Sequence, residues 1–235
     1  MDSKNLRAEV GTFQVLVRRD LNGSAYVLRL SRNDLAFVPG QHIHLGLAAS
    51  SDLREYSIYS GIDDDFLEVL IREIDDGLVS RQLRRIVPTE HVRLEGPYGY
   101  FVLPDDRTVD ERFLFVATGT GIAPFRSFVR SEPGLNYLLL HGISSGDDQF
   151  EYEYHHGVTT CLSRSSPEAK GSSNVVKQTE QRWHQGRVTS YLRDHPVDPT
   201  TRCYLCGNCD MIYEAFDILR AYGVPSSNLY AEVYF

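Results

Sequence analysis

Between residues 9 and 101 apolar and polar positions alternate over short stretches. Aliphatic, β-branched and aromatic residues take roughly every second place in 12–17, 25–30, 41–47, 55–59 and 66–71, the period of a strand with one buried face. Turn-prone clusters such as Asp20-Leu21-Asn22-Gly23 and Asp63-Asp64-Asp65 separate these stretches. About six short strands at this spacing predict an antiparallel barrel or sandwich. One helical interruption is expected at 79–86, with Leu83 and Ile86 on one side and Arg81, Arg84 and Arg85 on others.

Leu103-Pro104-Asp105-Asp106-Arg107 reads as a linker, and beyond it the texture changes. Near-continuous apolar runs at 112–117, 136–141, 157–162 and 203–206 predict buried strands. Helical stretches are expected at 123–130, 188–194 and 211–222. Strands alternating with helices imply a parallel sheet. The Ser-rich stretch 163–186 has no clear period and is expected to be a loop. The chain therefore reads as two domains: an antiparallel β-barrel over 1–105, followed by an α/β parallel-sheet domain over 110–235.

Composition narrows the function without naming it. The 235 residues carry a net charge of −8, with 42% hydrophobic residues, ordinary for a globular protein and contrary to general nucleic-acid binding. No apolar run approaches the roughly 18 residues of a membrane span, and the polar start Met1-Asp2-Ser3-Lys4-Asn5 lacks the apolar core of a signal peptide. No membrane association and a cytoplasmic location are the expectations. Cys203, Cys206 and Cys209 form a C-x2-C-x2-C run of the kind that can hold an iron–sulfur cluster. A cluster needs a fourth thiolate, and Cys161 lies far upstream in another strand. Cys203 and Cys206 also fall on diverging faces of one strand, so isolated thiols are expected. The eight histidines, His141 and the pair His155-His156 among them, match no metal-binding spacing, and no metal is expected.

Two strings carry nucleotide chemistry on physical grounds. Gly77-Leu78-Val79-Ser80 opens a helix, whose free N–H groups attract anions. Ala117-Thr118-Gly119-Thr120-Gly121-Ile122-Ala123-Pro124-Phe125 follows a predicted strand and opens another helix, the context of a dinucleotide loop. Gly119 and Gly121 let the backbone approach a pyrophosphate, and Pro124 suits a first helical turn. Pro124 stands where G-x-G-x-x-G has its third glycine.

These strings sit in order with Phe37-x-Pro39-Gly40-Gln41, Arg54-Glu55-Tyr56-Ser57, Gly96-Pro97-Tyr98-Gly99, Cys206-Gly207-Asn208-x-x-Met211 and the terminus Glu232-Val233-Tyr234-Phe235. The set resembles the ferredoxin/flavodoxin–NADP reductase family, in its bacterial, FAD-containing branch, over the whole chain. The resemblance implies an FAD barrel and an NADP domain. Arg54 would pair with the FAD pyrophosphate together with Gly77, Leu78, Val79 and Ser80. Tyr56 would stack on the flavin ring, and Ser57 would stand near its reactive nitrogen. Tyr234 would cover the flavin face that the nicotinamide must reach, and Phe235 would pack near the adenine. Thr118, Gly119, Thr120 and Gly121 would hold the NADP pyrophosphate, with Gly207, Asn208 and Met211 completing that site. Cys206 would lie against the nicotinamide, and Glu232 would handle a proton. Cys209 departs from the proline common in bacterial relatives.

Ser163, Arg164 and Arg187 resemble the 2′-phosphate positions of the family. No Asp or Glu ends that strand to hold a free ribose hydroxyl. NADP(H) is therefore expected. The partner implied is ferredoxin or flavodoxin, docking at Arg81, Arg84 and Arg85, with the reductase itself a monomer. Two other readings stay open: an NADH-dependent reductase of an oxygenase system, and a flavin-binding sensor subunit without turnover.

Overall fold

The computed structural model describes residues 9–155, 157–164 and 182–234. It divides into two compact units, Met1–Pro104 with Ala123–Glu132, and Asp105–Ile122 with Pro133–Phe235.

The first unit is a six-stranded antiparallel sheet of β1 (Glu9–Asp20), β2 (Ala25–Ser31), β3 (His42–Leu47), β4 (Arg54–Ser57), β5 (Phe66–Arg72) and β6 (His91–Tyr98). Its strand order is β4-β3-β6-β1-β2-β5. Just past β4, Ile58 bridges Val69 of β5, and Tyr59 N–H donates to Glu68 O at 2.8 Å. The two edges thereby nearly close a barrel, which leaves few unpaired backbone groups. Alternation places Phe13, Val15, Leu28, Leu30, Ile43, Leu45, Val69, Val92 and Leu94 in one buried core. The helix α1 (Leu78–Arg85) adds Val79 and Leu83 to it.

Helix α2 (Ala123–Ser131) follows the glycine turn in sequence yet packs with the barrel unit. An apolar face alone does not explain this, because Arg126 in its centre is only 1% exposed. Arg126 Nη1 donates to Tyr59 O at 2.6 Å and to Glu68 Oε2 at 3.1 Å. Glu68 is fully buried and also meets Arg29 at 2.9 Å and Arg19 at 3.5 Å. A buried carboxylate is tolerated because guanidinium groups surround it. Arg130 pairs with Asp64, and Ser127 donates to Ser60 O at 2.8 Å. The expected division at 105 and 110 follows the linker; packing instead assigns α2 to the barrel unit.

The second unit is a parallel sheet of β7 (Phe113–Thr118), β8 (Tyr137–Ile143), β9 (Val158–Leu162), β10 (Arg182–Gln185), β11 (Arg202–Gly207) and β12 (Leu229–Val233). The order is β10-β9-β8-β7-β11-β12. Helices α3 (Val188–Asp194) and α4 (Cys209–Ala221) contribute Val188, Leu192, Met211, Ile212, Ala215 and Leu219 to its core. From β7 the chain runs outward one way to β10, then returns to the other side at β11. The order therefore reverses between β7 and β11, the place where such sheets bind ligands beyond their carboxyl ends. Two strands differ from expectation. β6 lies outside the five stretches expected to be strand, and β10 lies in the stretch expected to be loop.

Candidate functional site

In the barrel unit β4 carries three of the expected residues. Antiparallel pairing sets Ser57 opposite His42, Tyr56 opposite Ile43 and Arg54 opposite Leu45. Arg54 is exposed, and its Nη1 donates to Leu53 O at 2.8 Å. Tyr56 packs against the barrel core, and burial pushes its phenol up to about 12, with Arg54 opposing. Ser57 is buried at 2% exposure.

Helix α1 begins at the Gly77 cap, whose residue supplies no side-chain cap, and its first turn holds no acidic residue. The leading N–H groups of Leu78, Val79 and Ser80 have no carbonyl within the helix to bond. Ser80 Oγ instead accepts from Ile74 N at 3.2 Å, and Tyr26 Oη donates to Ser80 O at 2.5 Å. These bonds fix the turn, and leading amides without a carbonyl partner inside the helix suit a phosphate group. Arg54, Tyr56 and this helix start fit a flavin dinucleotide on these grounds.

In the second unit β7 ends at Thr118 and runs through a tight turn, Gly119–Ile122. Gly119 has φ +53°. A side chain at Gly121 would come 2.3 Å from Cys206 O, so only glycine lets the turn lie against the end of β11. Gly207 is similarly constrained, with φ +129° and Thr118 Oγ1 2.2 Å from where a Cβ would stand. Thr118 Oγ1 accepts from Asn208 N at 2.9 Å, and Asn208 Oδ1 caps α4 by accepting from Met211 N at 3.2 Å. The expected Thr118–Gly121 and Gly207–Met211 segments are thus joined at the point where strand order reverses.

Sequence reasoning missed the support beneath this turn. His141 on β8 is fully buried; its Nε2 bonds Gly119 O at 2.8 Å and its Nδ1 bonds the Tyr152 hydroxyl at 2.6 Å. A histidine inside an apolar strand pattern gave the only signal.

The register of β11 with β12 pairs Cys206 with Glu232, and Tyr234 N donates to Gly207 O at 2.9 Å. The Cys206 thiol is raised well above its usual range, first by burial and then by the Glu232 charge, while a hydrogen bond from the Tyr234 side chain opposes the shift. Cys206, Glu232 and Tyr234 are therefore brought together. Cys203 points elsewhere, into the sheet's core, with its thiol pushed up to about 12 by burial.

Pairing of β10 with β9 sets Gln185 beside Leu162. Arg187 and Arg164 each lie two residues beyond, so both exposed arginines leave the same end of adjacent strands. Ser163 N donates to Ile143 O at 3.0 Å and Gly186 N to Leu162 O at 2.9 Å, which ties both strand ends to their neighbours. Phe235 lies outside the described residues. Among the three arginines expected to dock a partner, Arg84 is held inward by Asp20 at 3.4 Å and Glu73 at 3.3 Å. Arg81 and Arg85 are exposed, and Arg81 also reaches Glu73 at 3.9 Å and donates to Asp75 O at 3.0 Å.

Comparison with known proteins agrees with this division of labour. Residues 12–103 match the oxidoreductase FAD-binding domain model, and residues 115–216 match the oxidoreductase NAD-binding domain model. The chain is 30% identical to the toluate 1,2-dioxygenase electron transfer component of Pseudomonas putida, over 91% of this chain and 64% of that protein. It is 24% identical to the ferredoxin–NADP reductase of Azotobacter vinelandii, over 91% of this chain and 90% of that one. The chain spans about three-fifths of the length of the toluate and 2-halobenzoate dioxygenase relatives, 64% and 58%. Among solved structures it resembles a ferredoxin NADP+ reductase from Neisseria gonorrhoeae with bound FAD and NADP. The TM-score is 0.80 at 19% identity, covering 96% of this chain and 99% of that chain.

Proposed function

Because the chain belongs to the ferredoxin/flavodoxin–NADP reductase family of flavoprotein oxidoreductases, we propose that it exchanges electrons between NADPH and a one-electron protein carrier, ferredoxin or flavodoxin. One observation carries the reading. Each unit has its own anion-receptive turn, the α1 start beside the Arg54–Ser57 strand and the glycine turn where the parallel sheet reverses order. Two such turns suit two dinucleotides.

Arg54 and the amides of Leu78, Val79 and Ser80 hold the FAD pyrophosphate, Tyr56 supports the ring system, and the Ser57 hydroxyl hydrogen-bonds it. Thr118, Gly119, Thr120 and Gly121 receive the NADP pyrophosphate through backbone N–H groups, with Gly207, Asn208 and Met211 shaping the neighbouring wall. Ser163, Arg164 and Arg187 take the 2′-phosphate, since two forked cations suit a dianion. Tyr234 would cover the flavin, Cys206 would align the nicotinamide, and Glu232 would hold a proton. FAD supplies the redox chemistry, taking electrons in pairs and releasing them singly, while the protein orients the rings.

The 30% identity to a dioxygenase electron transfer component favours a second reading, a reductase that feeds an oxygenase system from NADH. Stopped-flow mixing of the FAD-loaded protein with NADPH or NADH, followed by purified ferredoxin or flavodoxin, separates the two. Faster flavin bleaching with NADPH and reoxidation by either carrier is the expected result. Preference for NADH with no reoxidation by either carrier overturns the first reading.

A further inference from the structure

Beside the proposed flavin residues of β4, where Ser57 pairs with His42, the barrel carries a further cluster of ligating side chains. His42 and His44 are two apart on β3 and so project from one face of the sheet. The residues between and after them, Ile43 and Leu45, point the other way into the barrel core. The register of β4 sets Glu55 directly opposite His44, and the Glu55 carboxylate lies 3.4 Å from His44 Nε2. One ring nitrogen from each histidine and a carboxylate oxygen of Glu55 all lie within 4.8 Å of one another. The two imidazoles stand nearly parallel, 5.8 Å between centroids and 22° between planes. Tyr98 of β6 closes one side, its ring 4.8 Å from that of His44. At Gly99 a Cβ would come 2.8 Å from His42 Nδ1, so glycine leaves that imidazole its position.

We propose that His42, His44 and Glu55 bind a divalent transition-metal ion of the zinc type. A simple ion pair accounts for His44 and Glu55 but not for the second imidazole beside them. Two imidazoles and one carboxylate form a donor set that zinc takes, with a fourth position open to water. Calcium and magnesium prefer all-oxygen shells and are excluded on that ground. Ligand atoms around a tetrahedral ion with bonds of about 2.0–2.1 Å sit roughly 3.3 Å apart. The cluster must therefore contract by about 1.5 Å at most. The Glu55 side chain is 72% exposed and can swing in, while the backbone of β3 and β4 already fixes the spacing. The ion would pin β4, a four-residue strand at the sheet edge, to its neighbour.

The test is calorimetric titration of Zn2+ into the chelator-treated, FAD-loaded full chain, with Mg2+ as control. One zinc per chain with micromolar affinity is expected, and no heat from Mg2+. His42→Ala, His44→Ala and Glu55→Gln should each weaken zinc at least tenfold, about 1.4 kcal/mol. His195→Ala should change nothing, since His195 is exposed elsewhere and stacked on Tyr191 at 3.8 Å. Zinc should also raise the unfolding temperature of the wild type by mass action and not that of Glu55→Gln. If a histidine variant fails to fold, Glu55→Gln decides alone, because that side chain lies at the surface. Affinity weaker than about 1 mM, or equal affinity in wild type and Glu55→Gln, overturns the proposal.

Discussion

Replacing Arg126 by Met tests what holds α2 to the barrel unit. Methionine keeps the length of the side chain and removes its charge and donors. The substitution deletes the bond to Tyr59 O at 2.6 Å, the contact with Glu68 at 3.1 Å and the placement of the guanidinium 4.0 Å over the Tyr59 ring. Glu68 remains fully buried and keeps Arg29 and Arg19, whose side chains are about one-third exposed. Removing one partner of a buried pair costs about 3–5 kcal/mol, and the two remaining arginines argue for the lower end. At about 2–4 °C per kcal/mol for a chain of this size, the loss of about 3 kcal/mol lowers Tm by roughly 6–12 °C. Thermal unfolding of the FAD-loaded protein, followed by flavin fluorescence and circular dichroism, measures it. Glu68→Gln completes a double-mutant cycle; coupled residues should give a double variant less destabilised than the sum, by about 2 kcal/mol. A Tm within about 2 °C of wild type, or strict additivity, refutes the reasoning.

Three further outcomes are expected. Arg164→Ala with Arg187→Ala should raise KM for NADPH about ten- to a hundredfold per lost charge-assisted bond and leave NADH nearly unchanged; equal losses with both nucleotides refute the assignment. Burial raises the Cys161 and Cys203 thiols to about 12 and holds Cys206 well above its usual range. A raised thiol stays protonated below its pKa, so at pH 8 roughly one in ten thousand of the first two is thiolate. A thiol reagent should meet one fast cysteine per native chain, the half-buried Cys209, and four in urea; two or more fast thiols contradict the burial. Arg81→Glu with Arg85→Glu, sparing the half-buried Arg84, should lower carrier turnover relative to ferricyanide turnover more than about tenfold at low salt. An unchanged ratio moves the docking surface elsewhere.

The barrel strands were legible because their buried faces repeat every second residue, as in 25–30 and 66–71. β6 was not among the named stretches, and Gly96-Pro97 within it is a pair that ordinarily stops a strand. β10 was illegible because Arg182, Trp183 and Gln185 are exposed, which leaves no apolar alternation. The glycine turn was legible as a local string with a physical purpose. His141 beneath it was not, because its partners are a backbone carbonyl and a tyrosine that no spacing rule connects. The convergence of Cys206, Glu232 and Tyr234 depends on the register of β11 and β12, which sequence does not give. Nothing near Arg126 in sequence marks it as buried, and only the fold supplies Glu68 to pair with it. His44 and Glu55 escaped notice as ligands for the same reason: pairing of β3 with β4, not proximity in sequence, makes them neighbours.

The membership of α2 bears on how such a chain can be cut and recombined. By packing, the backbone belongs to the barrel unit up to Pro104, leaves it, rejoins it from Ala123 to Glu132 and leaves again. A fragment ending at the linker would therefore carry Glu68 without Arg126, a buried acid missing its one fully buried guanidinium partner. Chimeras that exchange the nicotinamide half with a relative should keep residues 123–132 from the barrel parent, or transplant Glu68 and Arg126 as a pair. The linker is a seam that the packing of α2 crosses.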